Sequence, residues 1–187
     1  MKTSILLFLM LTVGVGIGSA APALTLSPGG SVTGAPGTAV GWGFTLTSDP
    51  NEWISVIASF TTDESNGSLG FYFDLIGSQG GPAGGVLPAG APDWVQDFDL
   101  NAQTGVGYFQ IVPDAPLASV NSGNLHVLYE RFSDDPASCG ECHIDAGELV
   151  VPFSFTVDTE VPEPATWGLL MVGTLGAAVG RKRSRLS

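Results

Sequence analysis

From Val40 to Leu46 every second residue is large and apolar: Val40, Trp42, Phe44 and Leu46 alternate with Ala39, Gly41, Gly43, Thr45 and Thr47. A period of two belongs to a β-strand with one packed face and one small or polar face. The pattern recurs along the chain. Ile54, Val56, Ala58 and Phe60 alternate with Trp53, Ser55, Ile57 and Ser59, and Leu69, Phe71, Phe73 and Leu75 form an inward set opposite Gly70, Tyr72 and Asp74. Trp94, Phe98 and Leu100 mark a strand with Asp97 and Asp99 outside, expected to pair with residues 105–112 across 101–104. Residues 125–132 make another strand, and Leu149, Val151, Phe153, Phe155 and Val157 line one face of the last. Pro152 has no N–H to donate, which places that last strand at an edge or on a bulge. Pro36-Gly37, Asn66-Gly67 and a Gly/Pro-rich loop over 77–92 separate these runs, as turn residues do. Helical periodicity is absent. Seven or eight short strands in about 140 residues therefore predict an all-β, immunoglobulin-like two-sheet sandwich.

The two ends read differently. Lys2, an apolar run over 5–17 and the small residues Gly18-Ser19-Ala20-Ala21 form a signal peptide, residues 1–20, cut after Ala20. At the other end, residues 161–187, Val161-Pro162-Glu163-Pro164-Ala165-Thr166 leads into an apolar stretch that stops at Arg181, Lys182, Arg183 and Arg185. Residues 165–180 would make a helix of ~24 Å, a little under the ~30 Å hydrocarbon core of a bilayer. The cations after it would stay on the cytoplasmic side, so residues 21–160 lie outside the cytoplasm. Arg131 is the only strong cation between Lys2 and Arg181, one positive charge against the eighteen acidic residues from Asp49 to Glu163, or −17 net over that span. Such a surface repels nucleic acid and anionic membrane surfaces. It favours solubility, divalent cations or basic partners.

The tail resembles the PEP-CTERM sorting signal of Gram-negative bacteria, in which a Val-Pro-Glu-Pro motif, an apolar helix and a basic end follow in this order. The resemblance implies an exosortase-type processing enzyme as partner, an inner-membrane-anchored precursor, and release or attachment at the cell surface in bacteria that make extracellular polysaccharide. It covers the tail alone. Two shorter runs add to it: residues 34–40 resemble the opening of bacterial immunoglobulin-like modules, and residues 41–47 are similar to a run in uncharacterised cargo proteins of the same sorting system.

One constellation has chemical meaning, Cys139-Gly140-Glu141-Cys142-His143. In an exported protein with two cysteines the first reading is a local disulfide, Cys139 to Cys142. The same spacing suits c-type haem, with both thiols on the porphyrin, His143 as proximal ligand and His126 as the sixth. A labile redox pair, or zinc on Cys139, Cys142, His143 and Asp145, stays open beside these. Calcium could be held by Asp134, Asp135 and Asp145 with Glu141 and Glu148 if the loop brought them together. The run Asp97-Phe98-Asp99-Leu100-Asn101 fails as an EF-hand, because Ala102 stands where the loop needs Gly. There is no Gly-x-Ser-x-Gly elbow, phosphate-cradling Gly loop or zinc-protease His pair, so no enzyme is expected. His126, inside a strand pattern, reads as a surface or half-buried residue and not as a base. Trp42, Trp53 and Trp94 read as core or rim residues, or alternatively as a sugar-stacking platform. The expectation is a cell-surface or matrix protein with a structural or interaction role and no cofactor; the alternatives are a carbohydrate-binding module for exopolysaccharide and a haem protein.

Overall fold

The computed structural model describes residues 21–79 and 85–158. The expected leader (1–20), the sorting motif at Val161, Pro162, Glu163 and Pro164, and the basic stop at Arg181, Lys182, Arg183 and Arg185 lie outside the described residues. Among the described residues no helix is long and apolar enough to cross a membrane.

Among the described residues ten strands form two sheets. The first contains β1 (Ala23–Ser27), β3 (Ala39–Thr47), β8 (Gly107–Ile111) and β5 (Gly70–Asp74), in that order, with β7 (Trp94–Gln96) also on β3. The second runs β2 (Ser31–Gly34), β10 (His143–Val157), β9 (Val120–Phe132), β4 (Trp53–Thr62), β6 (Val86–Leu87). All pairings are antiparallel except β2 with β10. A 3-10 turn (Gly67–Leu69) precedes β5 and a single helical turn, α1 (Ile76–Gln79), follows it.

The core is the space between the sheets. Trp42, Phe44 and Leu46 of β3 face Leu125 and Val127 of β9 and Phe153, Phe155 and Val157 of β10 in one cluster of buried side chains. Phe109 lies at its centre, 5.2 Å from Phe153 and 5.0 Å from Phe155, with Trp42 edge-on to Phe153 at 5.5 Å. Such ring pairs add specificity to the area they bury. The indole Nε1 of Trp42 has no hydrogen-bond partner in this core.

The expected alternation holds on β3 and on the second half of β10. Two strands depart from it. On β4 the register shifts between Val56 and Ala58, leaving Ile57 as an extra residue. A bulge of one residue exchanges the faces beyond it, so Ser59 is buried while Phe60, expected inside, is exposed. Of the expected inward set Leu69, in the 3-10 turn, and Leu75, just after β5, are buried, but within β5 the faces are reversed, with Phe71 and Phe73 66% and 46% exposed.

Hydrogen bonding explains the reversal. Tyr72 and Asp74 turn toward the interior and meet Ser59 from the opposite sheet, Ser59 Oγ lying 2.7 Å from Tyr72 Oη, 2.7 Å from Asp74 Oδ1 and 2.9 Å from the carbonyl of Val106. A buried polar group is tolerated when it is hydrogen-bonded, and here three satisfy one another. The Tyr72 ring needs the space at Gly107, where a Cβ would stand 2.0 Å from its hydroxyl. Burial holds the Tyr72 phenol well above its usual range, with the Asp74 charge adding to the rise and the Ser59 hydrogen bond opposing it.

Two further expectations are settled by pairing. Residues 105–112 do not form a hairpin ladder with the Trp94 strand: β8 pairs with β3 and β5, and only the bridge Asp99–Thr104 joins the two segments. Pro152 is accommodated at an edge. β2 covers only Ser154 to Val157, and Ser154 N donates to the Gly30 carbonyl at 2.8 Å. Because N–H groups alternate sides along a strand, the nitrogen of Pro152 faces this same side, short of the stretch that β2 covers.

Candidate functional site

The β9–β10 hairpin carries most of the sequence candidates. Its tip, residues 133–142, is closed by Ser133 N to the Cys142 carbonyl (2.9 Å) and by a sulfur–sulfur bond between Cys139 and Cys142, whose Cα atoms are 5.8 Å apart. Both sulfurs are thus engaged with each other. His143 is exposed and packs edge-on against Phe132, with 5.4 Å between the rings. The calcium set is not gathered. Asp134 accepts from the amide of Asp135, Asp135 accepts from that of Ala137, and Asp145 is held by Arg131. No group of three His, Cys, Asp or Glu among the described residues is placed to hold a metal.

Arg131 makes a two-armed contact with Asp145, Nε to Oδ1 at 2.6 Å and Nη2 to Oδ2, and reaches Glu52 with Nη1 at 3.0 Å. A planar guanidinium is suited to such a fork. The hydrogen bond from Arg131 holds the Asp145 carboxyl below the usual carboxylate range, against a smaller opposing effect of desolvation. This clamp ties the hairpin strands next to the tip to the start of β4.

On the outer face of the second sheet, His126 links three strands. Its Nδ1 lies 2.8 Å from Glu148 Oε1, its Nε2 lies 2.7 Å from Thr62 Oγ1, and its ring stacks on Phe60 with 4.8 Å between centroids. Hydroxyl, imidazole and carboxylate in line are the parts of a nucleophile–base–orienter chain. Sequence reasoning had no means of finding it, since Thr62, His126 and Glu148 come together only through the register of β4, β9 and β10.

The tryptophans do not form a platform. Trp42 is 0% exposed and Trp94 is also buried, 4.8 Å from Phe44, while Trp53 is partly buried at the start of β4. Aromatic exposure lies elsewhere, on the outer face of the first sheet. Phe73 stacks on Tyr108 at 5.0 Å and 12°, and Tyr108 stands 6.4 Å from Phe98. Phe98 covers Gly41, whose missing Cβ would meet its ring at 2.4 Å. Phe98 and Gly41 also line a groove of about 410 Å³ shared with Asp97, Ser27, Thr33 and Ala39. A smaller groove, about 260 Å³, lies between Leu26 and Pro152. Neither groove includes Thr62, His126 or Glu148.

No curated protein matches the chain. Among solved structures it is similar to the third cohesin ScaC of Acetivibrio cellulolyticus, determined in complex with the ScaB dockerin, at 13% identity over 74% of this chain and 99% of that one, with a TM-score of 0.30. Likeness of that degree carries no argument. Residues 160–184 match the family model described as the PEP-CTERM protein-sorting motif, so the chain carries a PEP-CTERM sorting signal and is an exported protein sorted through its C-terminal tail.

Proposed function

We propose that the protein is an exosortase substrate whose all-β domain serves at the cell surface or in the extracellular matrix as a structural or interaction module, without catalysis. The observation that carries this reading is the sorting motif at residues 160–184. The order of the tail supports processing: a rigid Pro162-Glu163-Pro164 handle, an apolar stretch of marginal length and a basic stop. The strand order supports an immunoglobulin-like sandwich. β1-β3-β8-β5 against β10-β9-β4 corresponds to the four-and-three arrangement of that fold, with β2 and β6 added at the edges of the second sheet. The non-catalytic role is supported by the position of the Thr62–His126–Glu148 chain outside both grooves described above. The cysteines, joined to each other at the hairpin tip, are read as a brace for the loop.

The test is intact-mass analysis of the full chain expressed in a host that carries the sorting enzyme. Mature protein should end near Pro162-Glu163-Pro164. A secreted species that retains Ser187 would refute processing.

A further inference from the structure

The outer face of the first sheet carries exposed aromatic side chains on a domain whose residues 21–160 hold seventeen acidic residues and one arginine, a net charge of −16. Phe71 and Phe73 are 66% and 46% exposed, Phe73 stacks on Tyr108 across β5 and β8, and Tyr108 stands near Phe98 in the segment after β7. Phe98 belongs both to this ring row and to the wall of the 410 Å³ groove, so row and groove form one continuous surface. A contiguous apolar patch of this kind on an exported protein marks a binding surface more often than a packing accident. The groove is large enough for a small-molecule-sized unit. Ser27, Thr33 and Asp97 are its lining residues with polar side chains. The only arginine of the domain is committed to Glu52 and Asp145.

We propose that this face binds an amine-bearing polysaccharide, with one sugar unit on the face of Phe73 turned away from Tyr108, a neighbouring unit in the groove against Phe98, and a free ammonium group directed to Asp97. Aromatic faces accept both the apolar side of a sugar ring and a nearby cation. Hydroxyl and carboxylate groups in the groove supply hydrogen bonds to a polyol. Charge selects among the possible occupants. A second copy of the chain would bring another strongly acidic surface to within the ~8 Å over which charges act at physiological salt, and a polyanionic glycan would meet the same repulsion. An amino-sugar polymer gains from both the rings and the field. The proposal rests on the export reading only in that the ligand is extracellular.

The test uses the purified exported protein with a defined probe, chitosan oligosaccharide, compared by calorimetric titration with the fully N-acetylated oligosaccharide and with polylysine. The deacetylated probe should bind, and Phe73→Ala and Asp97→Asn should each weaken it by about tenfold, with melting temperatures close to that of the parent. Equal binding of the N-acetylated probe would overturn the assignment of the amine to Asp97. Binding of polylysine that matches chitosan and ignores Phe73→Ala would show charge attraction alone and sink the glycan proposal, as would absence of binding to every probe. None of these outcomes touches the site of tail cleavage, which is read separately by mass.

Discussion

β3 and β5 lie in the same sheet, both carry aromatic residues at every second position, and they point them in opposite directions. On β3 the large residues Trp42, Phe44 and Leu46 fill the interior and the outer face is small. On β5 the large residues Phe71 and Phe73 are outside, and the interior receives Tyr72 and Asp74. Hydrophobicity alone would turn β5 over. What holds it is the set of hydrogen bonds that Ser59 offers across the sandwich and the space left at Gly107. A strand can thus be oriented by satisfied polar contacts when they are buried, leaving its aromatic residues free for a partner.

The largest expected effect tests this contrast directly. Phe44→Ala should cost about 3–5 kcal/mol, because it opens a cavity among well-packed rings, whereas Phe71→Ala should stay within about 0.5 kcal/mol. Denaturant titration of the two variants compares them; equal losses would mean that β5 is packed on the side occupied by Phe71. Next in size is Ser59→Ala, which leaves Tyr72 and Asp74 short of a buried partner and should cost about 1–3 kcal/mol. If that variant is as stable as the parent, the polar contacts do not orient β5.

Smaller effects are expected at the hairpin. Substituting both Cys139 and Cys142 by Ser removes a ring so short that the loop-entropy gain is small, and should cost about 1 kcal/mol or less in thermal unfolding. A large drop would show that the tip stabilises the whole sandwich. Asp145→Asn probes the Arg131 clamp through pH. The depressed Asp145 carboxyl contributes stability in full above the unfolded value of about 4, and loses it as pH falls through the lower folded value. The Asn variant should therefore show a shallower acid-side loss of stability than the parent. An unchanged slope would leave the clamp without a measurable role, as is common for exposed ion pairs.

Much of the architecture was legible from residue order. The alternation on β3, the turn dipeptides and Pro152 all led to an all-β sandwich with the last strand at an edge, and the tail declared export. The candidate site was far less legible. Trp42 and Trp94 are core and Trp53 is partly buried, in line with their reading as core or rim residues, but the exposed rings Phe71 and Phe73 are residues that the same alternation had assigned to the core. A possible signal was present in Gly70, Tyr72 and Asp74, a set able to face inward if partners waited there. Nothing local revealed that they did.

By itself the sequence determined the strand period, the positions of the turns and the address at residues 160–184, because each depends on residues close together in the chain. Tertiary structure alone decided which face of β5 is inside, how the bulge at Ile57 exchanges the faces of β4, and that Thr62, His126 and Glu148 meet. The physical reason is that a period of two defines two faces without ranking them. The ranking comes from what the opposite sheet and the neighbouring strands present, and those groups are tens of residues away.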